Sequence, residues 1–255
     1  YSKKGLYTEA VSAYQKAIKK KNHPRRAKRN LGILLIQLGD PKRGIKYLSD
    51  FNSTFKDSEA IYYLGKGYQS LGSLADAIFH FEKSNRLHPQ NIRTLKDLAW
   101  SYHRAGFISQ SLKIVSQIHM LEPKTFDSSI IEAHNYIKLR HFYRSEKILL
   151  KLLKSAPKHK KAFVLSLLGE TKIGKKEYLN AEIFFMKAIS LNPLLASALL
   201  GLGRIEIYKK NFKKALQHLT QAKRTEPHLI DTYYYMGRAL ESSDPKKAKK
   251  YYAIF

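Results

Sequence analysis

The sequence predicts an all-α repeat protein, a stack of helix-turn-helix hairpins, and three observations carry that prediction. The first is a series of small residues, Ala10, Gly44, Ala77, Ser111, Ser145, Ala181, Ala215 and Ala248, separated by 34, 33, 34, 34, 36, 34 and 33 positions. The second is a pair upstream in most units: Leu31-Gly32, Leu64-Gly65, Leu98-Ala99, Leu168-Gly169, Leu202-Gly203 and Met236-Gly237. The third is proline at the unit ends, Pro89, Pro123, Pro157, Pro193 and Pro227, spaced by 34, 34, 36 and 34. An aromatic or aliphatic residue four after each small one, such as Tyr14, Leu48, Phe185 and Tyr252, keeps the same step.

Taken in order, residues 1–24 read as the second helix of a partial unit. Full units follow at 25–57, 58–91, 92–125, 126–161, 162–195 and 196–229, and 230–255 is a truncated one. Apolar residues recur at three- and four-residue steps in Ile61–Ser70 and Leu199–Tyr208, as a helix with one buried face requires. A break such as Gly72-Ser73, Ala105-Gly106 or Lys210-Asn211 precedes a second amphipathic run, and a proline without an N–H stops it. Small residues let the two helix backbones approach where they cross. One hairpin cannot bury its own apolar face, so neighbours must stack. Two features depart from the pattern: Glu132-Ala133 replaces Leu-Gly, and two extra residues fall within Lys158–Lys161.

The pattern Leu-Gly-x2-Tyr, Gly, aromatic, Ala-x3-Phe-x2-Ala, Pro resembles the tetratricopeptide repeat. It is nearly complete in one unit, as Leu64, Gly65, Tyr68, Gly72, Ala77, Phe81 and Pro89, and the resemblance covers essentially the whole chain. It implies a single right-handed α-α superhelix whose first helices line a concave groove that takes a partner's peptide segment or helix. Mapped onto this chain, the family's groove positions give Arg26, Arg29, Ile33, Tyr62, Lys66, Gln69, Lys96, Trp100, His103, Arg104, His134, Lys138, Arg204, Tyr208, Tyr234 and Arg238. Trp100 either projects into the groove as an anchor or tucks against the next unit as packing. Tyr234 is either a groove contact or a contact to a further unit. The family's carboxylate clamp for chaperone tails is disfavoured, because Ile33, Tyr63 and Asp97 stand at three of its five positions.

Charge raises a second reading. The 255 residues hold 47 Lys plus Arg against 20 Asp plus Glu, a net charge of +27. The mapped groove is only mildly basic, so the excess belongs to second helices and loops, among them Lys16 to Lys21, Lys209 to Lys214 and Lys246 to Lys250. Arg144, Lys147, Lys151 and Lys154 recur at helical steps and form one stripe on the convex side. That stripe suits an acidic protein, a nucleic acid or an anionic membrane surface; the bland alternative is a solvated, soluble face. Lys predominates over Arg, and base readout favours Arg.

Several chemistries are excluded or unsupported. With no cysteine there are no disulfides, thiolate metal sites or thiol nucleophiles. Gly169-Glu170-Thr171-Lys172-Ile173-Gly174-Lys175-Lys176 fails as a phosphate loop at Lys176, and Gly169 belongs to the helical series. His134 and His141 lack a third ligand. Asn52-Ser53-Thr54 is a glycosylation sequon in form only. The expectation is a non-catalytic scaffold with no cofactor, no metal and no small-molecule substrate, and with self-association possible through uncapped ends. No apolar run is long enough to span a bilayer. The opening Tyr1-Ser2-Lys3-Lys4 reads as a fragment. The composition leans toward a bacterial source and the cytoplasm, with the periplasm or envelope as the alternative.

Overall fold

The computed structural model describes residues 2–19, 25–52, 56–122 and 125–255. Lys20, Lys21, the unit end Pro123, and Ser53 and Thr54 of the sequon lie outside the described residues. Among the described residues the chain forms fifteen helices and no strand: α1 (Ser2–Lys19), α2 (Arg25–Gln37), α3 (Pro41–Asn52), α4 (Ser58–Ser70), α5 (Leu74–Leu87), α6 (Ile92–Arg104), α7 (Ile108–Leu121), α8 (Phe126–Lys138), α9 (Phe142–Ser155), α10 (Lys158–Gly174), α11 (Tyr178–Leu191), α12 (Ala196–Tyr208), α13 (Phe212–Thr225), α14 (Ile230–Leu240) and α15 (Pro245–Tyr252). From α2 onward the even-numbered helices are the first helices of each hairpin. The single-array reading meets one division: the helices group into two compact units, Tyr1–Ile131 and Glu132–Phe255, and the division falls inside α8.

Local signals set the helix ends. Asp57 caps α4 by accepting from the Ala60 N–H at 2.8 Å, and Asn91 caps α6 by accepting from Thr94 at 3.3 Å. The turn inside a hairpin needs one residue in the left-handed region. Gly39, Gly72 and Gly106 supply it at φ of 85°, 80° and 84°, whereas Arg140, Lys176 and Lys210 adopt 59°, 63° and 62° at the corresponding places. The first group takes that conformation without a Cβ penalty; the second does not.

In unit 1 the core gathers Leu48, Tyr62, Tyr63, Leu64, Phe81 and Leu98. In unit 2 it gathers Leu165, Phe185, Leu202 and Ile205, with Leu200, Leu219 and Met236 beside them. The Leu-Gly and small-residue series sit where two helices cross, as their spacing requires. A Cβ added at Gly65 would lie 2.6 Å from the Phe81 ring, and one at Gly169 would lie 2.5 Å from the Phe185 ring. The insertion near Lys158–Lys161 is resolved simply. It extends the first helix, so α10 has 17 residues where α4, α6 and α12 have 13, and the expected boundary at 161/162 falls inside α10.

Candidate functional site

In unit 1 the first helices α2, α4 and α6 stand side by side, and polar side chains cross from each to the next. The Arg29 guanidinium of α2 bonds Asp57 at 2.8 Å and also Glu59. From α4, Lys66 donates to Gln69 at 2.9 Å and to Asp97 of α6 at 3.1 Å, and Gln69 reaches the Ser101 hydroxyl at 3.3 Å. Tyr62 donates its phenol to Asp97 at 2.5 Å. Arg93 returns from α6, donating to the Tyr62 and Tyr63 hydroxyls at 2.9 Å each, with its guanidinium 4.5 Å from the Tyr62 ring centre. Gln37 donates to Tyr63 at 2.8 Å. From Gln37 to Ser101 these bonds run unbroken across three helices, and Arg29 with Asp57 and Glu59 makes a separate link.

Electrostatics follow from that packing. Burial, then the neighbouring Asp97 carboxylate, pushes the Tyr62 phenol well above its ordinary value, so it remains a donor. Bases that make this face look positive in sequence are already answered by acids: Arg29 by Asp57 and Glu59, Lys66 by Asp97, and Lys96 by Glu122 at 3.0 Å. Arg93 and Glu59, which take part in these contacts, and Arg104 at the end of α6 are exposed.

Two mapped positions are corrected. Tyr62 and His103 are 4% and 8% exposed, so neither lines an open groove. Tyr62 is covered because Arg93 and Asp97 of the next first helix close over it. His103 meets the Trp100 ring edge-on, with centres 5.4 Å apart. Trp100 is half-buried and packs on Ala99, Val115 and Ile131, the packing alternative rather than the projecting one. Ile33 likewise packs partly into the core. Arg26 is exposed and lines a cavity of about 740 Å³ with Arg25, Arg29 and Lys56.

Unit 2 places its mapped residues differently. Arg204 of α12 bonds both carboxylate oxygens of Glu170 on α10, at 2.7 and 2.8 Å, and lies 5.2 Å from the Tyr235 ring centre. His134 is half-buried with its ring 6.2 Å from that of Phe163, and Lys138 is exposed. Tyr208 is 63% exposed and stacks on Tyr178 at 4.1 Å. Tyr234 is half-buried among Tyr235, Tyr252 and Phe255, and Arg238 donates to its hydroxyl at 3.5 Å. The aromatic cluster around Tyr234 is therefore packing within the unit rather than an open contact.

On the other side, Arg144, Lys147, Lys151 and Lys154 are all exposed on α9. Arg144 lies 5.6 Å from the Tyr136 ring centre. Sequence reasoning missed the outer face of α11, where Leu179, Ile183 and Met186 are 74%, 51% and 52% exposed. The available signal was a second apolar stripe on the helix, opposite Ala181, Phe185 and Ala188. The rejected phosphate loop is helix up to Gly174, and Gly169 is packed against Phe185. No group of three or more His, Asp or Glu suited to a metal occurs among the described residues, and no described helix is long and apolar enough to cross a membrane.

Comparison with known proteins places this geometry. Residues 164–193 match the family model for the tetratricopeptide repeat. A tetratricopeptide repeat protein from Parabacteroides merdae is similar in structure, with a TM-score of 0.83 and 14% identity over 94% of each chain. A thermophilic repeat protein of Thermus thermophilus gives 0.63 at 17% identity, covering 72% of this chain and all of the other. The Cut9–Hcn1 assembly of the APC/C gives 0.69 at 15% identity, over 97% of this chain and 49% of that one. Comparison with curated proteins returns no match.

Proposed function

We propose that this chain, an array of tetratricopeptide repeats, is a non-catalytic adaptor that holds a segment of a partner protein against its first helices. The observation that supports this reading is the α4–α6 network. Lys66, Gln69 and Asp97 are joined through the Lys66 ammonium, and Arg93 is held on the Tyr62 hydroxyl that also donates to Asp97, while all four remain partly open to solvent. Side chains already held in place lose little further freedom on binding, which favours recognition of an extended or helical segment. Because Arg29, Lys66 and Lys96 are paired with acids, the preferred segment is of mixed polarity rather than strongly acidic. Arg93 and Arg104 offer donors to its carbonyls and carboxylates.

A photo-reactive amino acid placed at Glu59 or Arg104, both exposed on first helices, tests the reading against one at Lys113 on the second helix α7. The expected result is a discrete adduct from native lysate at 59 and 104, none at 113, and loss of both adducts with Arg93→Glu. Adducts of equal yield at all three positions, or adducts insensitive to Arg93→Glu, refute it.

A further inference from the structure

Unit 2 has two layers. The first helices α10, α12 and α14 touch one another in a row, and the second helices α11 and α13 pack between successive members. The outer surface of the second-helix layer has an unusual composition. Helices α9 and α13 present bases outward, while α11, which follows α9 and precedes α13 in the stack, presents Leu179, Ile183 and Met186. These three recur at helical steps and protrude as a ridge. Tyr143 of α9 (78% exposed) and Leu194 beyond α11 (62%) add to the same apolar character. A helix that is apolar on both faces normally has both covered.

The exposed charged side chains of these three helices are of one sign, and the acid that precedes α11, Glu177, is bonded to Lys172 and Lys175. The four bases of the α9 stripe, together with Lys187, Lys213, Lys214 and Arg224, are all exposed. The three second helices contain only two acids, and both are engaged. Glu146 bonds Lys172 at 2.7 Å and Lys175 at 2.9 Å, and Glu182 bonds Lys209 at 2.6 Å. A second copy docked by this face would set bases against bases, so the occupant is anionic. Positive charge spread over three successive helices, flanking a ridge rather than lining a groove, matches an extended surface better than a single bound helix. Lysine suits such non-stereospecific attraction.

We propose that the second-helix face of unit 2 docks on an anionic lipid surface, with Leu179, Ile183 and Met186 entering the interfacial layer and the flanking bases meeting the headgroups. This goes beyond the adaptor reading and uses the opposite helix layer. It would leave the first helices free to hold a protein at the membrane.

Flotation with vesicles of phosphatidylcholine alone, or of phosphatidylcholine and phosphatidylglycerol in equal parts, tests it on the full chain. The wild type is expected to float only with the anionic vesicles and to be released by salt. Leu179→Ser, Ile183→Ser and Met186→Ser combined should weaken partition about tenfold or more. Lys147→Gln, Lys151→Gln and Lys154→Gln combined should do the same at low salt. All six side chains are exposed, so unchanged circular dichroism is expected and keeps the comparison fair. Absence of flotation, equal flotation with neutral vesicles, or flotation unaffected by the apolar triple substitution overturns the proposal. So does self-association that the apolar triple abolishes, or binding of an acidic amphipathic peptide in place of vesicles, since the ridge is then a protein seat. None of these outcomes alters the adduct pattern at Glu59 and Arg104, so the two readings fail separately.

Discussion

Phe185 is fully buried, with its ring held between Gly169 of α10 and Gly201 of α12, and the substitution Gly201→Ala tests whether that arrangement sets the repeat spacing. A Cβ at Gly201 would lie 2.3 Å from ring Cζ and 2.5 Å from both Cε atoms. Relaxed carbon contacts lie near 3.5–4.0 Å, so the ring must retreat by about 1 Å or more. Its retreat runs toward Gly169, where a Cβ would itself stand 2.5 Å away. Overpacking usually costs about 1–3 kcal/mol, and a ring blocked on both sides belongs to the upper part, about 2–3, of which the better helix propensity of Ala returns about 1. The expected net loss is about 1–2 kcal/mol. Gly169→Ala with Gly201→Ala removes the retreat from both sides, so the pair should cost more than the sum of the single changes by about 1 kcal/mol. With Phe185→Leu in the background the clash is relieved, and Gly201→Ala should become stabilising by up to about 1 kcal/mol. Urea denaturation followed by circular dichroism reads all of these. A neutral or stabilising Gly201→Ala with Phe185 present refutes the reasoning.

Two further outcomes follow from local geometry. Hydrogen bonds from Lys172 and Lys175 lower the Glu177 carboxyl from its ordinary 4.5 to about 2, and the same lysines bring Glu146 below its ordinary value although burial alone would raise it. Folded-state values below the unfolded ones mean stabilisation that is complete above pH 4.5 and lost as pH falls toward about 2. Carboxylate NMR titration should therefore place Glu177 far below 4.5, with amide exchange at the α10–α11 turn quickening over that interval; an ordinary midpoint contradicts it. At the hairpin turns, Gly72→Ala at a φ of 80° should lower stability by about 1 kcal/mol, while Lys210→Gly at 62° should raise it by up to about 1. Thermal denaturation in which both changes have the same sign counts against the turn argument.

The fold was legible because its determinants are local and recur. A small residue every 34 or so positions marks each helix crossing, and the fully buried Ala77, Ser111, Ser145 and Ala181 occupy the places their spacing demands. Position along a helix was therefore readable, but cover from a neighbouring helix was not. Tyr62 is covered by Arg93 and Asp97, which lie 31 and 35 residues further along. Trp100 has a groove position yet turns onto Ala99, Val115 and Ile131. The paired state of Arg29, Lys66 and Arg204 was equally hidden, because summing charges along a face does not say which acids reach them. The α11 ridge escaped notice because the repeat pattern accounts for one apolar face per helix and offers no reason to look for another.

The charged links between neighbouring first helices also impose an order on the repeats. Glu59 and Arg93 occupy equivalent places in successive units, and Arg29 is bonded to Glu59. Excising residues 58–91 in frame would bring Arg93 to the place Glu59 holds, setting guanidinium against guanidinium. In unit 2 the polarity is reversed, with the acid Glu170 earlier and the base Arg204 later. The modules share one backbone plan, yet these two joints are keyed in opposite senses, so a module is not freely interchangeable with its neighbour.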